Sequence, residues 1–195
     1  MKKAKKTLIL VLCAVLLVAA SVAGTLAYLT SSATVTNTFT VGQVVITLDE
    51  TDVDEYGVKD GDTRVTANTY KLIPGHTYVK DPVIHVDQES ENCFLFVKVD
   101  NPIAALEDAA TIADQLAANG WIPVDGSTNV YYYKEVCGAG YNIPTFTQFK
   151  IRGDVEDLSA YKGLAIEVTA YAVQHDGFAD ANAAWTATYG APTNP

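Results

Sequence analysis

The sequence predicts an all-β fold, an antiparallel two-sheet β-sandwich with one short helix over one end. About eight short runs alternate between apolar and polar residues or are rich in β-branched residues. Turn residues such as Pro74-Gly75 and Asp176-Gly177 separate them. The one good helix candidate is at residues 101–120, and a short turn or helix is predicted through Trp185 after the last strand. The chain of 195 residues is long enough for one domain with a substantial hydrophobic core.

The N-terminus has the layout of a secretory signal peptide. Four lysines within the first six residues precede the apolar run "TLILVLCAVLLVAASVAG". Thr25 and Ala27 predict cleavage between Ala27 and Tyr28, so we assign residues 1–27 to the signal and expect membrane contact only before cleavage. The apolar run is long for a cleaved signal, and an uncleaved membrane anchor is the alternative.

Residues 28–41 are predicted to form an N-terminal assembly strand. From residue 30 to residue 40 the sequence is rich in threonine and has no charge and no proline. Uncharged, β-branched segments of this kind add readily to an exposed sheet edge. The alternative is that the segment forms the first strand of its own domain. Alternation predicts two sides, with Thr34, Thr36, Thr38 and Thr40 on one and Val35, Asn37, Phe39 and Val41 on the other.

The rest of the chain is predicted to form a β-sandwich domain at 42–190 and a short tail at 191–195. Its first strand alternates through Ile46 and Leu48, and an acidic stretch follows at 49–62. We predict a hairpin between "YVKDPVIHV" and "NCFLFVKVD" across the polar "DQESEN". The second of these strands is apolar on both faces, as expected at the centre of a sandwich.

The predicted helix at 101–120 has a capping residue at Asn101 and a terminating glycine at Gly120. Strands then resume with "VYYYKEV", "IPTFTQFKI" and "LAIEVTAYAVQ". In the first of these, alternation places Tyr132 on the face opposite the two neighbouring tyrosines.

The charge of the chain excludes some classes of partner. The net charge is −10, and loss of four of the 13 basic residues with the signal leaves 9 against 23 acidic residues, which is −14. Such a chain is not expected to bind nucleic acid or an anionic membrane surface. Divalent cations are its natural counter-charge, and the acidic stretch offers oxygen ligands for a structural calcium at Asp49, Asp52, Asp54 and Asp60. The alternative is a solvated hairpin loop whose charge maintains solubility.

No motif in the sequence predicts a catalytic site. The histidines at 76, 85 and 175 lack the His-Glu-x-x-His spacing of zinc peptidases, and no Gly-x-Ser-x-Gly motif occurs. We therefore predict no catalytic residue and no cofactor, with the structural calcium as the alternative. Outside the signal the chain has two cysteines, Cys93 and Cys137, which form either a cross-strand disulfide or two buried thiols.

Three stretches resemble one family of proteins. The junction "GTLAYLTSSATVTNTFTVGQVVITL" is similar to that of exported proteins processed by a SipW-type signal peptidase. The stretches "KLIPGHTYVKDPVIHV" and "IEVTAYAVQHDGF" are similar to a turn and to the last core strand of the same group. The chain thus resembles the TasA/camelysin (CalY) family.

The resemblance implies a jelly-roll sandwich that is secreted to the extracellular matrix or cell surface of a Gram-positive-type bacterium. It also implies biofilm matrix fibres built from copies of the chain or related subunits, in which the N-terminal strand freed by cleavage inserts into the neighbouring subunit. Camelysin is described as a cell-surface metalloendopeptidase, so proteolysis is one alternative function. A monomeric secreted adhesin or ligand-binding sandwich is the other.

Overall fold

The computed structural model describes residues 2–29 and 42–190. Helix α1 (Lys2–Leu29) lies in one compact unit, and all other elements lie in a second. Ala27 and Tyr28, the predicted cleavage site, are in the last turn of α1. Large apolar side chains of α1 between Leu8 and Val18 are exposed. Within the described residues, no helix combines the length and the apolar character needed to cross a membrane.

The second unit is built mainly from antiparallel β-strands, as the sequence predicts. With three helices in the described residues, the fold is β-rich rather than all-β. Helices α2 (Ile112–Ala118) and α3 (Ala181–Tyr189) and two 3₁₀ turns (Ala104–Leu106 and Ser159–Tyr161) lie between strands or after the last one. The strands are β1 (Ile46–Val53), β2 (Lys59–Val65), β3 (Thr77–Val79), β4 (Val83–Val86), β5 (Cys93–Asp100), β6 (Trp121–Pro123), β7 (Val130–Tyr133), β8 (Asn142–Pro144), β9 (Gln148–Lys150) and β10 (Glu167–Gln174).

Most of these strands belong to two four-stranded sheets. The first sheet has the order β2-β1-β4-β8, and the second has the order β10-β5-β7-β6. Strands β3 and β9 pair in a third, two-stranded sheet. The longest ladder joins β5 to β10 over the full length of both strands, from Cys93 opposite Gln174 to Asp100 opposite Glu167.

The predicted hairpin across "DQESEN" is wrong. Strand β4 pairs with β1 and β8, whereas β5 pairs with β10 and β7, so the two strands lie in different sheets. The connection between them continues along the start of β1. Asp87 donates its backbone N–H to the Val45 carbonyl (2.9 Å), and the Ser90 hydroxyl accepts a hydrogen bond from the Val45 N–H (2.8 Å). These bonds hold the connection against the first sheet before the chain crosses to the second.

The predicted single helix at 101–120 is also wrong, because the chain forms a 3₁₀ turn and then α2. Ala110 has a φ of 65°, in the left-handed region, which is incompatible with a continuous right-handed helix. The buried carboxylate of Glu107 accepts the Ile112 N–H (3.0 Å) and so satisfies a donor at the start of α2. Burial raises the pKa of Glu107, although the hydrogen bonds that its carboxylate accepts from Ile112 and Asn101 oppose the shift.

The main hydrophobic core contains side chains from both four-stranded sheets. Ile84 and Val86 of β4, and Leu95 and Val97 of β5, are among its buried members. Trp121 is also a buried member of this core, and it donates its ring N–H to the Pro144 carbonyl. Each large apolar side chain buried here contributes about 1.5–3 kcal/mol to folding.

A second, smaller core covers the other face of β5. Phe94 and Phe96 pack with residues of α3, and the ring centroids of Phe96 and Trp185 are 5.0 Å apart. Strand β5 therefore has apolar partners on both faces, which explains its continuous apolar sequence. Tyr132 packs against this core while its two neighbouring tyrosines pack against the main core, so the predicted alternation is confirmed.

Candidate functional site

Strand β10 has one paired edge and, within the described residues, one unpaired edge. It is the outermost strand of its sheet and pairs only with β5. Cys93 and Cys137 exchange two backbone hydrogen bonds (2.8 and 2.9 Å). The backbone N–H and C=O groups of Cys93, and of every second residue after it, therefore point toward β7. The intervening residues of β5 face β10. The bond from the His175 N–H to the Asn92 carbonyl (2.8 Å) fits this pattern.

This pattern determines which backbone groups of β10 face outward. The odd-numbered residues bond to β5, so Val168, Ala170 and Ala172 direct their N–H and C=O groups toward the unpaired edge. The side chains of the same three residues are partly buried against the main core. An edge with free backbone groups is a template on which another strand can pair.

The other outer strands of the four-stranded sheets carry features that hinder such pairing. Strands β6 and β8 contain Pro123 and Pro144. The N–H groups of the next residues, Val124 and Thr145, bond toward the neighbouring strand, so both prolines occupy outward-facing positions where they block an added strand. Strand β2, "KDGDTRV", is highly charged. By contrast, β10 has no proline and one charged residue, which is at its start.

Among the residues that the structure describes, the first half of β1 also has no partner strand along one edge. Its residues from Ile46 to Asp49 pair with β4, whereas β2 pairs with β1 only from Glu50 onward. The bond from the Asp87 N–H to the Val45 carbonyl shows that the odd-numbered residues of β1 point their backbone groups toward β4. Ile46 and Leu48 therefore point their backbone groups toward the side that β2 leaves uncovered. Their side chains are partly buried against the main core.

Of two adjoining cavities, one lies beside these open edges. This cavity, of about 380 Å³, is lined by residues of both strands, including Leu48 of β1 and Val168 of β10. The other, of about 600 Å³, has a mixed wall that includes Tyr70, Leu158 and Tyr161 as well as polar side chains. The cavities share four lining residues, which are Asn68, Lys80, Ala165 and Ile166. We call the two cavities and the open edges of β1 and β10 together the acceptor groove.

A buried ion pair lies where the two cavities meet. Lys80 Nζ is 2.7 Å from Glu50 Oε2, and the two side chains are 9% and 6% exposed. Asn68 donates to the other carboxylate oxygen of Glu50 (3.0 Å), and the Lys80 ammonium is 5.9 Å from the centre of the Tyr70 ring. Burial and the charge of Glu50 raise the pKa of the Tyr70 hydroxyl. Where the two cavities meet, the groove wall therefore presents a neutralised pair rather than a free charge.

A separate polar cluster is formed by alternate residues of β1, which face away from the main core. Asp49 pairs with Arg64 and, at 3.0 Å, with Nε2 of His85. Burial opposes ionisation of Asp49, but the hydrogen bonds and charges of Arg64 and His85 outweigh it and lower its pKa. Asp81 accepts two hydrogen bonds from Thr51, both 2.7 Å, and pairs with the same arginine. These contacts fasten β1 to β2 and β4.

The predicted calcium ligands do not surround one point. Asp49 is in the cluster just described, and Asp54 accepts the N–H groups of Tyr56 and Val58 (both 2.9 Å) in the turn between β1 and β2. Asp52 is in β1 and Asp60 in β2. The acidic stretch is therefore a hairpin. The described residues contain no group of three or more His, Cys, Asp and Glu side chains that could hold a metal ion.

The three histidines have separate partners. His76 contacts the Tyr56 carbonyl (2.8 Å), His85 contacts Asp49, and His175 contacts Asp176 (3.1 Å). Each is therefore engaged within its own part of the fold.

Cys93 and Cys137 lie directly opposite each other. They form an isolated antiparallel bridge, and both are fully buried as free thiols. Burial raises the pKa of Cys93 to about 11 and that of Cys137 to about 12. The fold therefore places the two cysteines side by side.

The predicted assembly strand lies largely outside the described residues. Tyr28 and Leu29 are the last two residues of α1. Residues 30–41, which hold the alternating stretch from Thr34 to Val41, and the tail at 191–195 are not among those described.

No family model, no curated protein and no solved structure matches this chain.

The acceptor groove was not predicted from the sequence, although the inward positions of two of its charged residues, Glu50 and Lys80, could have been. Glu50 is two and four residues after Leu48 and Ile46 in β1, and Lys80 is two residues after the buried Tyr78. Alternation alone therefore places both charges toward the core. No periodic signal indicates that the irregular segment around Leu158 completes the groove.

Proposed function

We propose that the protein is a secreted structural subunit of the TasA/camelysin type, which assembles into fibres of the biofilm matrix or cell surface. A SipW-type peptidase cleaves the chain between Ala27 and Tyr28. Residues 28–41 of one copy then add to the acceptor groove of the next. The observation that carries this proposal is that open edges of β10 and β1 border one groove. No residue performs covalent chemistry in this function.

The dimensions of the segment support the proposal. The alternating stretch 34–41 and strand β10 each contain eight residues, which corresponds to about 26 Å of extended strand. Strand addition would satisfy the outward backbone groups of β10. The small side chains of Ala170 and Ala172 pack against the main core next to the open edge. Val35 and Phe39 of the added strand would extend this packing.

The direction in which the chain enters β1 favours a neighbouring copy over self-insertion. Gln43 and Val45 accept hydrogen bonds from Glu91 and Asp87, so residues 43–45 run in line with β1. Self-insertion requires the chain to reverse ahead of Gln43, and between Asn37 and Gln43 only Gly42 is a turn-forming residue. An extended segment of this composition reaches a second copy without such a turn.

Charge supports the same mechanism. The assembling segment is uncharged, and the Lys80 ammonium at the groove is already paired with Glu50. Desolvation where the two cavities meet therefore leaves the Lys80 ammonium paired with Glu50. The −14 charge of the cleaved chain keeps subunits apart in solution until the specific contact forms.

We also propose that the two four-stranded sheets pack face to face as a jelly-roll sandwich. Their shared core, with Ile84 from one sheet and Leu95 from the other, supports this arrangement. In this view the acceptor groove is the side of the sandwich where one strand is missing.

Electron microscopy of two purified forms tests the function. We expect the chain that begins at Tyr28 to form fibres and the chain that begins at Gly42 to remain monomeric. Fibres from the shorter chain would contradict a role for residues 28–41. Monomers from both forms would overturn self-assembly.

A matched pair of substitutions tests the orientation of the segment. Phe39→Asp places a charge on the apolar side, and Thr38→Asp places the same charge on the opposite side. We expect Phe39→Asp to raise the protein concentration needed for fibres by about 100-fold, because it removes the burial of a phenylalanine worth about 1.5–3 kcal/mol. Thr38→Asp should have a much smaller effect. Equal effects of the two substitutions would contradict the proposed orientation.

A further inference from the structure

We propose that Cys93 and Cys137 are a disulfide site that joins β5 to the chain segment after β7. The inference rests on the proposed function in one respect, since export brings the chain into a compartment where disulfides persist. Its geometric basis is independent of fibre assembly.

The backbone brings the two cysteines together from both directions. The Cys93 N–H donates to the Cys137 carbonyl (2.8 Å), and the Cys137 N–H donates to the Cys93 carbonyl (2.9 Å). Residues that exchange both bonds have Cα atoms about 5.5 Å apart. This separation lies within the range of about 4.4–6.8 Å that disulfides span. The Cβ atoms of a hydrogen-bonded pair are about 5.5 Å apart, whereas those of a disulfide are about 3.5–4.5 Å apart. Forming the bond therefore draws the two backbones together by about 1 Å.

The surroundings of the pair also fit a structural disulfide. Both residues are 0% exposed and belong to the main core. Cys13, the third cysteine of the chain, is on α1 within the predicted signal. Cleavage therefore leaves Cys93 and Cys137 without a competing thiol.

The bond forms by thiol–disulfide exchange with a low-molecular-weight or protein disulfide. The thiolate of one cysteine attacks a sulfur of that disulfide and forms a mixed disulfide, with release of one thiol. The second cysteine then attacks the mixed disulfide and releases the other thiol. The two cysteine sulfurs are oxidised, the external disulfide is reduced to two thiols, and the two protons pass to the released thiolates.

Burial sets the order of events. In the folded chain neither sulfur is accessible, and the raised pKa of each thiol leaves little thiolate for attack. Exchange therefore takes place while the chain is folding, before the core closes. Protein that folds without an oxidant should retain both thiols for a long time afterwards.

The position of the bond gives it a role next to the acceptor groove. Cys93 begins β5, the strand on which β10 is paired, and its partner belongs to the segment that follows β7. A covalent link at this point stabilises the sheet whose outer edge would receive the added strand. We expect it to slow fraying of β5 while β10 is unpaired on its other side.

Mass spectrometry of the full-length chain carrying Cys13→Ser tests the inference. The protein is unfolded and refolded in a glutathione/glutathione disulfide buffer at mildly alkaline pH, then unfolded again and treated with an alkylating reagent. We expect no alkylation and a mass about 2 Da below that of the reduced chain, since two hydrogen atoms are lost. Reduction should lower the unfolding temperature by roughly 5–15 °C.

The double variant Cys93→Ala/Cys137→Ala, also with Cys13→Ser, is the matched control, because reductant should not change its unfolding temperature. Two alkylated thiols in the refolded wild-type pair would overturn the proposal, as would a mixed disulfide with glutathione at either cysteine. The readout does not involve fibres. A disulfide in a chain that never forms fibres would contradict the proposed function but support this inference. Fibres from a chain with two free thiols would support the proposed function but contradict this inference.

Discussion

Lys80 and Glu50 form a buried ion pair, with Nζ and Oε2 separated by 2.7 Å, at the junction of the two cavities of the acceptor groove. The pair joins the residue after β3 to the middle of β1, and Asn68 holds the second carboxylate oxygen. Charges are rarely buried this fully without a partner, because each loses its hydration. The pair therefore fixes the wall of the groove only while both members are present.

We expect Glu50→Gln to destabilise the fold by about 3 kcal/mol, because it leaves the Lys80 ammonium buried without its counter-charge. Urea unfolding at neutral pH measures the effect. The double variant Glu50→Leu/Lys80→Met should recover most of the loss, since no unpaired charge remains. A double variant as unstable as Glu50→Gln would contradict the view that the unpaired charge causes the loss.

The open edge of β10 can be blocked by a proline, as the outer edges of β6 and β8 already are. Ala170→Pro removes one outward-facing N–H and no bond to β5, so the monomer should remain folded. An added strand would lose one hydrogen bond and leave an acceptor unsatisfied, at about 1–3 kcal/mol. We expect fibre growth by the chain that begins at Tyr28 to slow roughly tenfold to 100-fold.

Ala170→Ser is the control for this edge variant, because it keeps the N–H and nearly the same side-chain size. Fibre growth is followed by light scattering, and urea unfolding checks that each variant is folded. Normal growth of a folded Ala170→Pro protein would show that strand addition does not use this edge.

Local sequence patterns predicted much of the fold but not how the strands are arranged. The strand through Val173 and the strand through Phe96 were predicted from alternation and from a continuous apolar run, and they form the longest ladder. The pairing of β4 and β5 was predicted wrongly because proximity in sequence favours a hairpin. Ser90 decides otherwise through its bonds to Val45, which are contacts that no periodicity reveals.

The same limit applies to the candidate site. The uncharged, alternating stretch that we propose for assembly was visible in the sequence, because it depends on composition and alternation within one stretch. The groove was not, because it brings together β1, β10 and the segment around Leu158, which are far apart in the chain. The interruption at Ala110 was hidden for a related reason, since Glu107 satisfies the start of α2 through a buried contact.

The final prediction concerns the pH dependence contributed by Asp49. Its pKa in the folded state is lowered from 3.8, because the contacts with Arg64 and His85 outweigh partial burial. A lowered carboxyl pKa means that the folded state binds this proton less readily than the unfolded chain does. The resulting stability is fully present above about pH 4 and is lost as the pH falls through the folded-state pKa.

Asp49→Asn should therefore destabilise the fold by about 0.5–1 kcal/mol at pH 7, a range reduced for the partial exposure of the site. The difference from wild type should shrink toward zero near pH 2. Urea unfolding across this pH range provides the measurement. Asp62→Asn is the control, because Asp62 pairs with Lys59 while fully exposed, and its effect should be smaller at every pH. An Asp49→Asn difference that is the same at pH 2 and pH 7 would show that Asp49 acts through packing and not through its charge.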